Sequence, residues 1–153
     1  MSPHEDAAPN WATASRRAVL GGGLAAAGEP RVTRFTTVVD IGRVVNAQAA
    51  RSQITGGVIF GIGYALLEDN PLERDTGRLA GSNLADYMVP VNADVPEIDV
   101  HFIDRPDPVV NGLGARGCGE IGNVGSAAAI GNAIYNATGK RIHDVPITLD
   151  KLL

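Results

Sequence analysis

The sequence predicts an α+β fold: a small sheet with two main helices. Three features carry that reading. Residues 31–40 are rich in β-branched and aromatic side chains, an apolar ladder with four-residue spacing follows Asn46, and apolar and polar residues alternate over 97–104.

The first strand is expected over Arg31 to Asp40, where Val32, Thr33, Phe35, Thr36, Thr37, Val38 and Val39 favour extended backbone. Asp40-Ile41-Gly42-Arg43 reads as a turn. Asn46 is a suitable N-cap for a helix running from Ala47 to about Glu68. In it Ile54, Val58, Ile62 and Leu66 lie four apart and share one face. Gly56, Gly57, Gly61 and Gly63 fall in the same stretch, each costing about 1 kcal/mol of helix stability relative to Ala. Either the helix packs closely against another backbone or a ligand, or it is short and broken. Residues 69–79, with Asn70-Pro71 and Thr76-Gly77, read as a turn or hairpin tip. The alternating strand puts Ile98, Val100 and Phe102 on one face and Glu97, Asp99 and His101 on the other. A long glycine- and proline-rich loop spans residues 105–122. The second helix is expected from Asn123 or Gly125 to about Ala137, with Ile130, Ala133 and Ile134 as its packing stripe and Gly139 closing it. One short helical turn capped by Thr148 ends the chain.

Composition narrows the function. The 153 residues are 44% apolar, enough for a core in one ordinary domain. A net charge of −4 and an aromatic content of 5% argue against nucleic acid as a partner. The single cysteine, Cys118, excludes an intrachain disulfide and a protein-held iron–sulfur cluster. No apolar run is long enough for a membrane span. Residues 1–28 differ from the rest: a polar start, then Ser15-Arg16-Arg17-Ala18-Val19-Leu20 and a Gly/Ala-rich run to Gly28. This is either a twin-arginine-like export leader or an unstructured tail, with the boundary near residue 28. A working leader places the protein in the periplasm; otherwise it is cytoplasmic.

The densest motif is Asn111-Gly112-Leu113-Gly114-Ala115-Arg116-Gly117-Cys118-Gly119-Glu120-Ile121-Gly122. It contains the G-x-G-x-x-G spacing twice. A dinucleotide fingerprint needs a buried strand directly before it and a further parallel strand after it, and neither fits here. A glycine loop ahead of a helix still presents N–H groups suited to an anion such as a phosphate. Glu120 within it is either a general base reaching a substrate or a cap for the second helix. Arg116 is either a phosphate partner or a solvated charge. Cys118 is either a nucleophile or a small hydrophobe. His4, His101 and His143 have no metal-ligand spacing.

Taken in order, Asp40–Asn46, Ala50–Gly57, Gly61-Ile62-Gly63, Gly114–Gly122, Ala127–Ala133 and Val145–Leu153 resemble the C-terminal end of the molybdopterin-binding large subunit of the molybdenum hydroxylases. This is the xanthine dehydrogenase/aldehyde oxidase family, and the likeness is nearest to the periplasmic aldehyde oxidases of bacteria. It covers about residues 29–153. The resemblance implies that Glu120 is the active-site glutamate, the proton acceptor when oxygen from water is added to an aldehyde or N-heterocycle. It implies that Gln53 contacts the pterin beside molybdenum. Gly117, Gly119, Asn123, Val124, Gly125 and Ser126 would line the cofactor. That cofactor is expected to be molybdenum-molybdopterin in its cytosine dinucleotide form, with an iron–sulfur small subunit and an FAD subunit as partners. Family subunits are several times longer, and most of the pocket comes from sequence not present here. The expectation is therefore a truncated molybdopterin-binding domain, its leader joined near residue 28 by deletion, gene decay or a misjoined frame, and inactive alone. Two other readings stand beside it: a non-catalytic remnant or interaction module, and a small nucleotide-binding module.

Overall fold

A computed structural model describes residues 30–153. The expected leader and its junction near residue 28 lie outside them. Strand β1 is Arg34–Val39, and helix α1 is Ala47–Leu66. A hairpin of β2 (Leu72–Glu73) and β3 (Arg78–Leu79) follows, then β4 (Glu97–Phe102). Helix α2 (Ile121–Val124) leads into α3 (Ser126–Thr138), and a 3-10 turn at Leu149–Lys151 ends the chain.

The two long strands pair in parallel, from Arg34 opposite Glu97 to Val39 opposite Phe102. A parallel pair needs a crossover, and α1 with the β2–β3 hairpin supplies it. This βαβ-like unit lies wholly upstream of the glycine loop, where a dinucleotide fingerprint would sit inside the unit, at its first strand-to-helix turn. Among the described residues no third strand joins the sheet.

Helix α1 is unbroken despite its four glycines. Asn46 Oδ1 accepts from the Ala49 N–H at 3.0 Å and fixes its start. Its apolar residues feed two clusters. Ala50 and Ile54 pack with Val39, Ile41 and Val100 beneath the sheet. Val58, Ile62 and Ala65 pack with Ile130 and Ile134 of α3 and with Ile147. The Ile147 N–H donates to Ala65 O at 2.7 Å, tying the C-terminal segment to α1.

Glycines set the distance between the helices. A Cβ on Gly57 would stand 2.8 Å from Asn123 N and 2.9 Å from Gly122 C, and one on Gly122 would stand 2.5 Å from Ile54 O. Gly61 faces the Ser126 side chain in the same way, whereas Gly56 meets nothing within 4 Å. Close approach of another segment is therefore what Gly57 and Gly61 serve, to backbone at Gly57 and to a side chain at Gly61, and Gly56 has no part in it.

Two expectations need correction. The second helix, expected from Asn123 or Gly125, does begin after Gly125 as α3, but a separate short helix, α2, precedes it from Ile121. The break between them lets Gly122 enter the seam with α1 while α3 carries Ile130 and Ile134 onto the upper half of that helix. Thr148 precedes the terminal turn as expected, but its side chain makes no capping bond. Gly139 does close α3, at φ +74° with its N–H donating to Tyr135 O.

Candidate functional site

The glycine loop is fastened where β1 ends. Gly42 (φ +67°) forms an antiparallel bridge with Ala115, and a Cβ there would stand 2.3 Å from Gly114 O. Arg43 N–H donates to Gly114 O and Arg116 N–H to Ile41 O, both at 2.8 Å. The Arg116 guanidinium binds Asp107 and, at 3.4 Å, Asp40. It is thus an exposed charge already paired with two carboxylates, not one left free for a phosphate. Asp107 also accepts from the Val109 N–H at 3.0 Å. Hydrogen bonding from Arg116 first, and from this N–H second, holds the Asp107 carboxyl below the usual aspartate range, and the same pairing raises the Arg116 pKa.

From this anchor the chain runs through Gly117, Cys118 and Gly119 to Glu120. Cys118 is partly buried against the cluster under the sheet, as a small hydrophobe. Gly117 and Gly119 are exposed, with no atom within 4 Å of where a Cβ would stand, so another molecule can approach their backbone. Glu120 occupies the position before α2, but its side chain makes no capping bond. The capping role is therefore not the one it plays. Its carboxylate is exposed and, among the described residues, has no hydrogen-bond or ion-pair partner.

Gln53 lies on the exposed side of α1. Its neighbour Ile54 is in backbone contact with Gly122, two residues beyond Glu120. The seam between α1 and α2 thus joins the stretch that carries Gln53 to the loop that carries Glu120, 67 positions on, and each of the two is exposed and unpartnered among the described residues.

The other candidates divide. Asn123 N–H donates to Glu120 O at 3.0 Å, closing the first turn of α2. Val124 is 82% exposed. Ser126 is buried, its hydroxyl donating to Gly122 O at 2.6 Å, so that side chain serves the helix junction. Val124, Gly125 and Ser126 line an open cleft of about 500 Å³ together with Phe35 to Asp40. Successive strand residues point to opposite faces, so six consecutive lining residues mean that β1 meets the cleft along its backbone edge. The sequence reading missed this wall, since residue types do not show which strand edge stays unpaired. Gln53, Gly117, Gly119, Glu120 and Asn123 lie outside the cleft lining. Among the described residues no group of His, Cys, Asp and Glu is placed to hold a metal ion, and no helix is long and apolar enough to cross a membrane.

A strand pair is bridged by a glycine-seamed helix, and an anchored glycine loop carries a bare glutamate to the start of α2; molybdopterin-binding domains of known structure share this fold. The chain belongs to the molybdopterin-binding subunits of the molybdenum hydroxylase family. The molybdopterin cofactor-binding domain family matches residues 25–96, which include Gln53 and stop before the Glu120 loop. The aldehyde oxidoreductase molybdenum-binding subunit PaoC of Escherichia coli (strain K12) is 47% identical over 128 residues, covering 84% of this chain and 18% of that subunit. Quinoline 2-oxidoreductase from Pseudomonas putida 86 superposes with a TM-score of 0.72 at 35% identity, covering 80% of this chain and 16% of that one. The aldehyde oxidoreductase from Desulfovibrio desulfuricans gives 0.73 at 32% identity, covering 84% and 14%. The chain therefore spans less than a fifth of the length of the relatives it matches.

Proposed function

We propose that this chain supplies the general-base segment of a molybdenum hydroxylase catalytic subunit, which oxidises aldehydes or N-heterocycles with water as the oxygen source. The observation that carries this is the α1–α2 seam, which joins the stretch bearing Gln53 to the loop bearing Glu120, both exposed and neither engaged within the fold. The residues suit a pterin cofactor in its cytosine dinucleotide form. Gly117 and Gly119 leave their backbone open to close approach, and the amide of Gln53 has donors and an acceptor to offer pterin heteroatoms. Val124 to Ser126 border an open cleft against the edge of β1, where the nucleotide portion would lie. When bound, the cofactor supplies the redox chemistry, taking up the two electrons removed from the substrate. Glu120 acts as the base, holding the proton released at the reacting oxygen on its carboxylate. Its loop is pinned at Gly42 and Arg116, so the carboxylate is delivered from a fixed backbone. In the complete enzyme, electrons leave through an iron–sulfur small subunit and an FAD subunit.

The test is Glu120→Gln in a full-length subunit that contains this segment. Glutamine keeps the shape and cannot take the proton, so kcat should fall roughly 10²–10⁴-fold, with molybdenum and pterin content unchanged. An unaltered kcat at full molybdenum loading would remove Glu120 from the chemistry. The chain by itself is expected to purify without stoichiometric molybdenum.

A further inference from the structure

Arg116 sits four residues before Glu120, with its guanidinium spread between two carboxylates from different parts of the chain. Asp107 belongs to the loop itself, and Asp40 to the end of β1. Each carboxylate has a second bond that orients it. Asp40 Oδ1 accepts from the Gly42 N–H at 2.9 Å, and Asp107 Oδ1 accepts from the Val109 N–H. Asn111 completes the frame by accepting at Oδ1 from the Gly114 N–H and donating from Nδ2 to Ala115 O, both at 2.8 Å. The loop is therefore fastened through side chains at Arg116 and through backbone at Ala115 and Arg116. The following residues, 117 to 120, have no comparable side-chain hold: Gly117 and Gly119 carry no side chain, and Cys118 only rests on the core. The exit direction of the Gly117–Glu120 segment is set at its last anchored residue.

From this geometry we infer that Arg116 is a positioning residue for Glu120: by bridging Asp40 and Asp107 it fixes the segment that presents the carboxylate. The inference rests on Glu120 being the base, but the clamp can be tested without the cofactor. Cys118 is the only cysteine in the chain and lies between Arg116 and Glu120, so its partly buried thiol reports on the segment's docking. In the full chain, Arg116→Gln should speed N-ethylmaleimide labelling of Cys118 about threefold or more, because the segment opens locally more often. Arg116→Lys, which keeps the charge and reaches one carboxylate, should restore much of the wild-type rate. The melting temperature should stay within about 2 °C throughout, since exposed ion pairs add little to global stability. Asp107→Asn is the second variant should Arg116→Gln fail to fold, and it should also speed labelling. Unchanged labelling in both variants overturns the inference. Faster labelling that tracks a general loss of melting temperature also overturns it, because Arg116 would then be a plain stabiliser. Molybdenum loading and turnover of Glu120→Gln decide the catalytic reading separately.

Discussion

Gly56 and Gly57 are adjacent in α1, yet alanine should act on them with opposite sign. In a helix interior, Gly→Ala gains up to about 1 kcal/mol from reduced backbone freedom in the unfolded chain. Gly56→Ala should show that gain alone, because nothing lies within 4 Å of the new methyl. At Gly57 the methyl would stand 2.8 Å from Asn123 N and 2.9 Å from both Gly122 C and its Cα. These are backbone atoms and cannot swing aside as a side chain would. Gly122 in turn has its own Cα face pressed on Ile54, so neither helix has room to yield. Overpacking of this kind costs about 1–3 kcal/mol or more, and it must overcome the same propensity gain. The net expectation is a loss of about 1–2 kcal/mol at Gly57 against a gain of about 0.5–1 kcal/mol at Gly56. For a domain of this size, at about 4 °C per kcal/mol, that is a melting temperature lowered by about 4–8 °C in one variant and raised by about 2–4 °C in its neighbour. Circular dichroism at 222 nm, in thermal and urea melts of both variants, reads the difference. If both shift the melt in the same direction by similar amounts, the seam is not the close backbone contact described here.

Gly42→Ala combines a positive φ with a methyl 2.3 Å from Gly114 O. It should cost about 2 kcal/mol or more, whereas Gly77→Ala, at φ +69° in open space, should cost only the left-handed penalty of about 1–2 kcal/mol; urea melts compare them. The Asp107 carboxyl is held below its usual range. Its contribution to loop anchoring is therefore complete above the ordinary aspartate value of about 3.9 and is lost as pH falls through the depressed folded value. Amide exchange at 114–120 should show that acid step, and Asp107→Asn should lack it. Tyr87 donates to Glu68, which raises the phenol pKa first by that hydrogen bond and then by burial. The bond holds below the ordinary tyrosine value of about 10 and is lost as pH rises through the raised one. A tyrosinate absorbance titration should show one late-ionising tyrosine, absent in Tyr87→Phe.

Helix α1 was legible because its signals are local: Asn46 caps it, and Ile54, Val58 and Ile62 recur at helical spacing. Its glycines were ambiguous for the opposite reason. Their cost is visible in one sequence, but what they meet comes from Gly122, Asn123 and Ser126, far along the chain. The same limit applied to β1 and β4, each recognisable as a strand, whose parallel pairing no local pattern announces. The separate start of α2 was not legible because Ile121–Val124 is only four residues long, too short for an apolar period to show. Arg116 looked free because its partners, Asp40 and Asp107, lie 76 and 9 residues away. Glu120 stood out within its glycine loop, but Gln53 became its companion only through the order of several motifs, since nothing near Gln53 marks it.

The parallel pairing also bears on how the chain reaches this fold. Arg34 and Glu97 are 63 residues apart, and the α1–α2 seam joins residues at similar separation. Closing a loop of that length costs about 3.7 kcal/mol of chain entropy before one sheet bond forms. Contacts within residues 30–66 and within 97–138 form cheaply, but the core exists only when the two stretches meet. This is a high contact order, which slows folding towards the millisecond-to-second range seen for domains built from distant pairings. Until β4 arrives, β1 carries an unsatisfied edge of Phe35, Thr36, Thr37, Val38 and Val39, uncharged and β-prone. Self-association during refolding should therefore begin at that strand and fall with a charged substitution on its exposed face, such as Thr36→Lys.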